Sequence, residues 1–311
     1  MYRATTSFTT KDYDIKYKEI LADDFTSQEE INEFLDIGYI EPYDDTLEIT
    51  ENGIYNVNDY KKVDVNVSGG SSNVLVVPDG MKFAYSSTFG DYELDTSNVT
   101  TMSYMFYACS QLTTIPLLDT SNVTYMSNMF NNCSQLTTIP LLDTSNVETM
   151  SNMFNACSHL TTIPLLDTSN VETMSNMFNA CSQLTTIPLL DTSNVTTMSN
   201  MFYACSQLTT IPLLDTSNVT TMSYMFYACS QLTTIPLLDT SNVTNMNNMF
   251  SNCSNLSNET LNNILEICIN AILYKGTKTL KQIGISSTQA TTCQSLSNWN
   301  DFVSAGWSTG Y

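Results

Sequence analysis

Between residues 93 and 256 one pattern of apolar and polar positions returns every 24 residues. A full unit reads L-L-D-T-S-N-V-x-x-M-x-x-M-F-x-x-C-x-x-L-T-T-I-P, and its aspartate recurs seven times, at Asp95, Asp119, Asp143, Asp167, Asp191, Asp215 and Asp239. In one copy the large apolar positions are Val123, Met126, Met129, Phe130, Cys133, Leu136 and Ile139, and Pro140 follows. Steps of three and four from Val123 to Cys133 predict a helical or 3₁₀ turn. A proline returning every 24 residues, from Pro116 to Pro236, forbids a longer helix, because its ring lacks an N–H and clashes with the preceding turn. The β-branched run Thr137, Thr138, Ile139 predicts a short extended segment. Each unit alone buries almost nothing. Stacked, the Leu, Ile, Val, Met, Phe and Cys positions form one continuous core, so residues 73–256 are expected to be a solenoid of seven units.

The polar stretch between the apolar runs has a mechanical reading. Asp119, Thr120, Ser121 and Asn122 can cap the coming turn, and the recurring Asn is expected to bond backbone inside the corner. Seven like charges at coil spacing are costly unless hydrogen-bonded, and calcium binding by the Asp ladder is the alternative reading. The six Thr-Thr pairs, such as Thr113-Thr114, resemble hydroxyl ladders of ice-binding surfaces, but ordinary strand composition accounts for them.

The flanks break the pattern. Residues 1–45 are expected to be a small mixed α/β module. Ile15, Tyr17 and Glu19 alternate with Asp14, Lys16 and Lys18 as in a strand, and Thr26, Ser27 and Glu30 precede Ile31, Phe34 and Leu35 as a helix-capping signature. Gly38 then reads as a helix stop before a short strand at Tyr39-Ile40. Residues 46–72 read as a β-hairpin module: Asn52-Gly53 signals a hairpin turn, Val63, Val65 and Val67 alternate with polar residues, and Gly69-Gly70-Ser71-Ser72 has the composition of a flexible linker. In residues 257–311, Ser257 can cap a helix carrying Leu261, Ile264, Leu265, Cys268 and Ile269. A final unit with Leu280, Ile283, Ile285, Trp299, Phe302 and Trp307 then closes the stack, since an uncapped last coil exposes bare core.

Charge narrows the partners. The 10 basic and 31 acidic residues give a net charge of −21, and no Lys or Arg lies between Lys82 and Lys275. Nucleic acid is excluded as a partner, because phosphate neutralisation supplies most of that affinity, and so is docking on anionic lipid. No run of eighteen apolar residues exists, so no membrane insertion is expected. The first residues lack the apolar segment of a secretory signal, which predicts synthesis and folding in a cytoplasm. Nine cysteines are present, seven of them 24 residues apart from Cys109 to Cys253. They are expected to be free, buried thiols, although bridging of adjacent coils is not sterically excluded.

Catalytic and cofactor motifs are absent: no phosphate-cradling glycine loop, no G-x-S-x-G, no H-E-x-x-H and no paired zinc cysteines. The one histidine, His159, stands where other copies carry Gln. No enzyme activity, cofactor or metal is expected. Two columns do vary between copies. One holds Tyr104, Asn128, Asn152, Asn176, Asn200, Tyr224 and Asn248, the other Tyr107, Asn131, Asn155, Asn179, Tyr203, Tyr227 and Ser251. Three residues apart, they share a face and are expected to form an exposed ridge, where Tyr and Asn offer amphipathic area and adaptable hydrogen bonds. An ordinary solvated ridge is the competing reading.

The unit L-D-T-S-N-V-T-x-M-x-x-M-F-x-x-C-S-x-L resembles the BspA-like leucine-rich repeat family of bacterial and phage surface proteins, over residues 93–256. The E-N-G-x-Y-x-V and V-N-V segments of residues 51–67 resemble modules of phage tail and fibre proteins, and residues 1–45 resemble, more weakly, phage head or tail accessory modules. The resemblance implies a right-handed leucine-rich-repeat solenoid that works by adhesion or recognition. The expected protein is a structural component of a phage virion surface: fibre, tail, baseplate or capsid decoration. Its N-terminal module would bind other virion proteins, and its solenoid a host-surface protein or glycan. A homo-oligomer is compatible with that role. The alternative is a bacterial cell-surface adhesin.

Overall fold

In a computed structural model of the chain, residues 93–271 and 281–310 are described without a break, together with Val77, Asp79, Gly80, Lys82, Phe83 and short strands nearer the start. The helix expected after Thr26 and the Asn52-Gly53 turn lie outside the described residues. Each 24-residue unit is one coil of a stack. In the central coils Val147, Met150, Met153, Phe154, Cys157 and Leu160 are fully buried, and their equivalents above and below repeat the arrangement. Eight phenylalanines, from Phe83 through Phe106 to Phe250, stack face to face along the axis. Neighbouring centroids lie 5.2–5.7 Å apart with planes 3–19° from parallel. Each cysteine thiol from Cys133 to Cys253 donates to the phenylalanine carbonyl of the preceding coil at 2.9–3.1 Å. All nine cysteines are free and buried.

The local backbone differs from the expected helical turn. Half of the amides in this segment reach the next coil: Met150 donates to Thr173 at 3.2 Å, Asn152 to Ser175 at 2.9 Å, Phe154 to Met177 at 2.9 Å and Ala156 to Asn179 at 2.7 Å. The amides between them close turns on the third residue back, Met153 to Met150, Asn155 to Asn152 and Cys157 to Phe154, each at 3.1 Å. Asn152 and Ala156 sit at φ 58°, and their equivalents in the other coils share that left-handed conformation. A helix would spend these donors inside its own segment. Left-handed residues interrupt it, so alternate amides stitch coil to coil.

The expected strand at Thr137–Ile139 is displaced. Parallel pairing falls on Thr101, Tyr125, Thr149, Thr173, Thr197, Thr221 and Asn245, the residue before the first methionine, as single bridges. At the Thr-Thr segment the described residues show one bridge, Thr210 with Thr234. There the following proline brings no amide to a ladder, so the contact is a single backbone bond, such as that from the Thr137 amide to the Thr113 carbonyl at 3.2 Å, to which the Thr137 hydroxyl also donates at 3.3 Å.

The polar corner does what its composition demands. Asp143 accepts from the amide and hydroxyl of Ser145, at 3.1 and 2.7 Å. Buried Thr144 donates to the Asp167 carbonyl of the next coil at 2.7 Å, and Asn146 donates back to the Ser121 carbonyl at 2.8 Å. Asp119, Asp167 and Asp191 are held below the ordinary carboxylate range by their serine hydroxyls and then by the serine amides, Asp239 first by the Ser241 amide.

Both ends are closed. In most coils the amide after the buried valine bonds the coil before it, as Glu148 does to Thr124. Where the repeat begins, a side chain takes over that acceptor role: the Asp79 carboxylate accepts from the Thr100 and Thr101 amides at 2.9 and 2.8 Å. Strand Val74–Val76 pairs in parallel with Glu93–Asp95. Upstream, Gly70–Ser72 is a strand antiparallel to Val65–Val67, not a linker. Only Ser68 and Gly69 separate the two in sequence, the length of a tight hairpin connection. At the far end Ser257 caps helix Asn258–Asn270, which buries Leu261, Ile264, Leu265, Ile267 and Cys268. Asn248 and Phe250 donate to Gln282 and Ile283, so the 281–285 segment continues the stack, and strand Lys281–Gln282 pairs with Trp307–Ser308. Helices Ser287–Cys293 and Trp299–Ser304 complete the cap.

Candidate functional site

The two variable columns do lie side by side, but they do not make one exposed ridge. In three successive coils their side chains are spent on each other: Asn131 donates to Asn128 at 2.9 Å, Asn155 to Asn152 at 3.2 Å and Asn179 to Asn176 at 3.1 Å. Asn131 is buried, a correction to its expected exposure, because it also accepts from Asn132 at 2.9 Å. Asn128, Asn152, Asn155, Asn176, Asn179 and Asn200 are half-buried. Asn in the first column has a backbone reason. It occupies the left-handed position, which Asn tolerates better than other residues with a Cβ.

Tyrosine has no such reason. Tyr104 at φ 64° and Tyr224 at φ 58° hold bulky rings in a conformation that disfavours them, and both are exposed. They define two aromatic patches, one at each end of the stack. At the first, the Tyr104 and Tyr107 rings lie 5.7 Å apart, tilted by 56°, with the Lys82 ammonium 5.1 Å from the Tyr104 ring centre. At the second, Tyr203 and Tyr227 stack at 4.7 Å and 8°, and Tyr224 meets Tyr227 at 5.8 Å and 54°. Asn248 donates to the Tyr224 hydroxyl at 3.1 Å.

The second patch borders a groove of about 630 Å³ between the last coil and the cap, lined among others by Tyr224, Tyr227, Asn248, Asn252, Ser286 and Gln289. No charged residue lines it. Its position depends on Gly284, at φ 77°, where an added Cβ would overlap the Ser251 hydroxyl and fall 2.9 Å from the Ser251 Cα. Only glycine lets the cap seat this closely. Cap residue Gln289 is fixed from behind, donating to the Cys253 carbonyl at 2.6 Å.

A second feature was not anticipated. Leu117, Leu141, Leu165, Leu189, Leu213 and Leu237, the first leucine of each Leu-Leu pair, are 50–78% exposed, while the second is mostly buried. They stand in register, one per coil. A shallow groove of about 510 Å³ runs past Leu141 and Leu165 and is edged by Asp119, Asp143 and Asp167. The signal was present in the spacing: Cys133, Leu136, Ile139 and Leu142 advance by threes, which turns Leu142 inward and leaves Leu141 out.

His159 is exposed, and its Nδ1 lies 2.7 Å from the Ser134 carbonyl of the preceding coil, so that nitrogen carries the proton. Among the described residues no cluster of three His, Cys, Asp or Glu is placed to hold a metal ion. None of their helices is long and apolar enough to cross a membrane.

A family profile described as "Mycoplasma protein of unknown function, DUF285" matches the chain twice, over residues 81–186 and 159–264. Among solved structures, the T. pallidum Leucine Rich Repeat protein (TpLRR) is 19% identical, with a TM-score of 0.46 over 70% of this chain and 88% of that one. No curated protein matches the sequence. The two profile matches together span residues 81–264, more than half of the 311 residues, and the chain belongs to this DUF285 family of BspA-like repeat proteins.

Proposed function

We propose that the chain is a structural protein of a phage virion surface (fibre, tail, baseplate or capsid decoration) whose solenoid adheres to a protein on the host surface. The exposed leucines carry this reading. Six of them in register form a contiguous apolar strip, and such strips mark interaction sites on soluble proteins. The aspartates edging the strip give it a complementary chemistry: the partner presents an apolar contact bordered by Lys or Arg. Residues 1–45 and 46–72 serve to attach the chain to other virion proteins, which fits their resemblance to phage modules and their share of the basic residues.

Mass spectrometry of purified particles tests the location, since a virion protein co-purifies with the capsid through a density gradient. Adhesion is tested with the purified full-length chain on host cells. The triple variant L141S/L165S/L189S should lose most of its binding without loss of fold, and binding should weaken as salt rises. Equal binding by the variant removes the leucine strip from the function. The bacterial cell-surface adhesin is the second reading, favoured by the Mycoplasma description of the matching family. Absence from particles together with recovery from a bacterial envelope decides for it.

A further inference from the structure

We propose that the groove between the Tyr224–Tyr227 patch and the C-terminal cap binds a neutral saccharide chain. Three properties of the groove point there. Its aromatic wall is built for flat contact: Tyr227 lies on Tyr203 at 4.7 Å, and Tyr224 stands at 54° to it, leaving an angled platform. The C–H face of a pyranose ring packs on such a platform through dispersion and the ring's negative face. The remaining wall supplies side-chain amides and a hydroxyl, from exposed Asn252 and Ser254 with half-buried Asn248 beside them, the donors and acceptors that sugar hydroxyls match, while Gln289 and Ser286 are spent on holding the cap. Finally, the lining carries no charge in a chain of net charge −21, so phosphate, sulfate and carboxylate ligands find no cation there.

The backbone adds an independent argument. Five other coils place Asn where Tyr224 stands, at the same left-handed φ. Tyrosine is the less suitable residue for folding at that position, and its ring is spent on the groove instead. Sterically strained residues of this kind persist where a site uses them. At about 630 Å³ the groove lies within the size range of small-ligand sites and is open enough for a chain to run through.

This extends the recognition reading to a second ligand at a different place on the stack, and it is tested separately. The full-length chain is titrated calorimetrically with maltohexaose, cellohexaose and chitohexaose and screened on an array of neutral and acidic glycans. A neutral oligosaccharide is expected to bind, with Y227A weakening it at least tenfold. Y224N, which installs the residue of five sister coils and so keeps the fold, should weaken it at least threefold with an unchanged melting temperature. The Y104N/Y107N pair at the other end should bind as the parent does. Failure of every neutral glycan, preference for acidic glycans alone, or parental binding by Y224N and Y227A each overturns the proposal. A chain that adheres to cells through its leucines but binds no glycan keeps the adhesion reading and loses this one. Glycan binding without adhesion does the reverse.

Discussion

The middle of the stack and its two ends solve the same geometric problem with different residues. In the coils of Asn128, Asn152 and Asn176, the left-handed position holds the residue that suits it, and the neighbouring column hydrogen-bonds to it. In the coils of Tyr104 and Tyr224 the same backbone carries a ring that does not suit it, turned toward solvent beside a second ring. The interior is the same in both places: the phenylalanine ladder runs through with almost no change of spacing, 5.4 Å at Phe106 and 5.6 Å at Phe226. The inward positions are thus the same in the middle and at the ends, and the difference between the coils lies on the outward face.

The largest expected effect lies on the invariant side. Phe178→Ala should destabilise the protein by about 3–5 kcal/mol, the usual cost of emptying a buried aromatic site, measured by urea unfolding. A loss below about 1 kcal/mol would mean that the ladder is not continuous in solution. Next, Asn152→Tyr carries the end-coil residue into the middle. It strains the left-handed position and removes the bond to Asn155, and should cost about 1–2 kcal/mol. A neutral result would erase the distinction between middle and ends.

A finer contrast sits at the corner threonines. Thr168 donates to the Asp191 carbonyl at 2.7 Å, whereas the buried Thr120 hydroxyl has no hydrogen-bond partner. Thr168→Val should cost about 0.5–1.5 kcal/mol and Thr120→Val nothing or less than nothing, because an unbonded buried hydroxyl is itself a cost. Acid adds a further test. Asp119, Asp167, Asp191 and Asp239 have lowered folded-state pKa values, so they bind fewer protons folded than unfolded. The stability they contribute is complete above the unfolded carboxylate range and is lost as pH falls through their lower folded values. Urea midpoints should hold steady from about pH 7 to 5 and decline below about pH 4. Removing the Ser121, Ser169 and Ser193 hydroxyls by alanine substitution should flatten that decline, because those hydroxyls are what hold Asp119, Asp167 and Asp191 down.

The smallest effect is kinetic. Burial pushes the Cys109 and Cys253 thiols up to about 12 and Cys293 to about 11. Cys157, Cys181 and Cys205, at the centre of the stack, lie well above the ordinary thiol range for the same reason. Alkylation of the folded protein at about pH 8 should therefore be slow at every cysteine and fastest at Cys293, while the denatured chain titrates nine free thiols. Early reaction at Cys181 would show that the middle of the stack opens more readily than its ends.

Much of this was legible in the sequence. The repeat length, the inward positions Val123, Met126, Met129, Phe130, Cys133, Leu136 and Ile139, the corner bonding of Asp, Thr, Ser and Asn, and the Ser257 cap all follow from spacing and side-chain chemistry. Three things did not follow. Steps of three and four fit a helix and a run of three-residue turns equally well, and only the left-handed Asn and Ala residues tell them apart. β-branched Thr137 and Thr138 favour an extended chain, but pairing is decided by which amides face the next coil. Hydrophobicity alone does not say which of two adjacent leucines points inward; the three-residue step from Cys133 to Ile139 does so only when it is carried past Pro140, where a helical reading stops, so the Leu141 strip lay inside an apparent core position. The aromatic groove was half legible. Its tyrosines stood out as variable, but the cap that makes the other wall, at Gly284, Ser286 and Gln289, is far along the chain and outside the repeat.

The uniform phenylalanine ladder makes length an adjustable property. Removing the unit between Phe154 and Phe178 would bring Phe154 against Phe202 with the same partners on every side, and duplicating it would do no more harm. Unequal exchange between repeats of the gene can thus lengthen or shorten the stack by whole coils, about 4.8 Å at a time, each coil adding or removing its own burial and one interface with a neighbour. A change in coil number between Phe106 and Phe202 leaves the residues that line the terminal groove, Tyr224 and Gln289 among them, untouched.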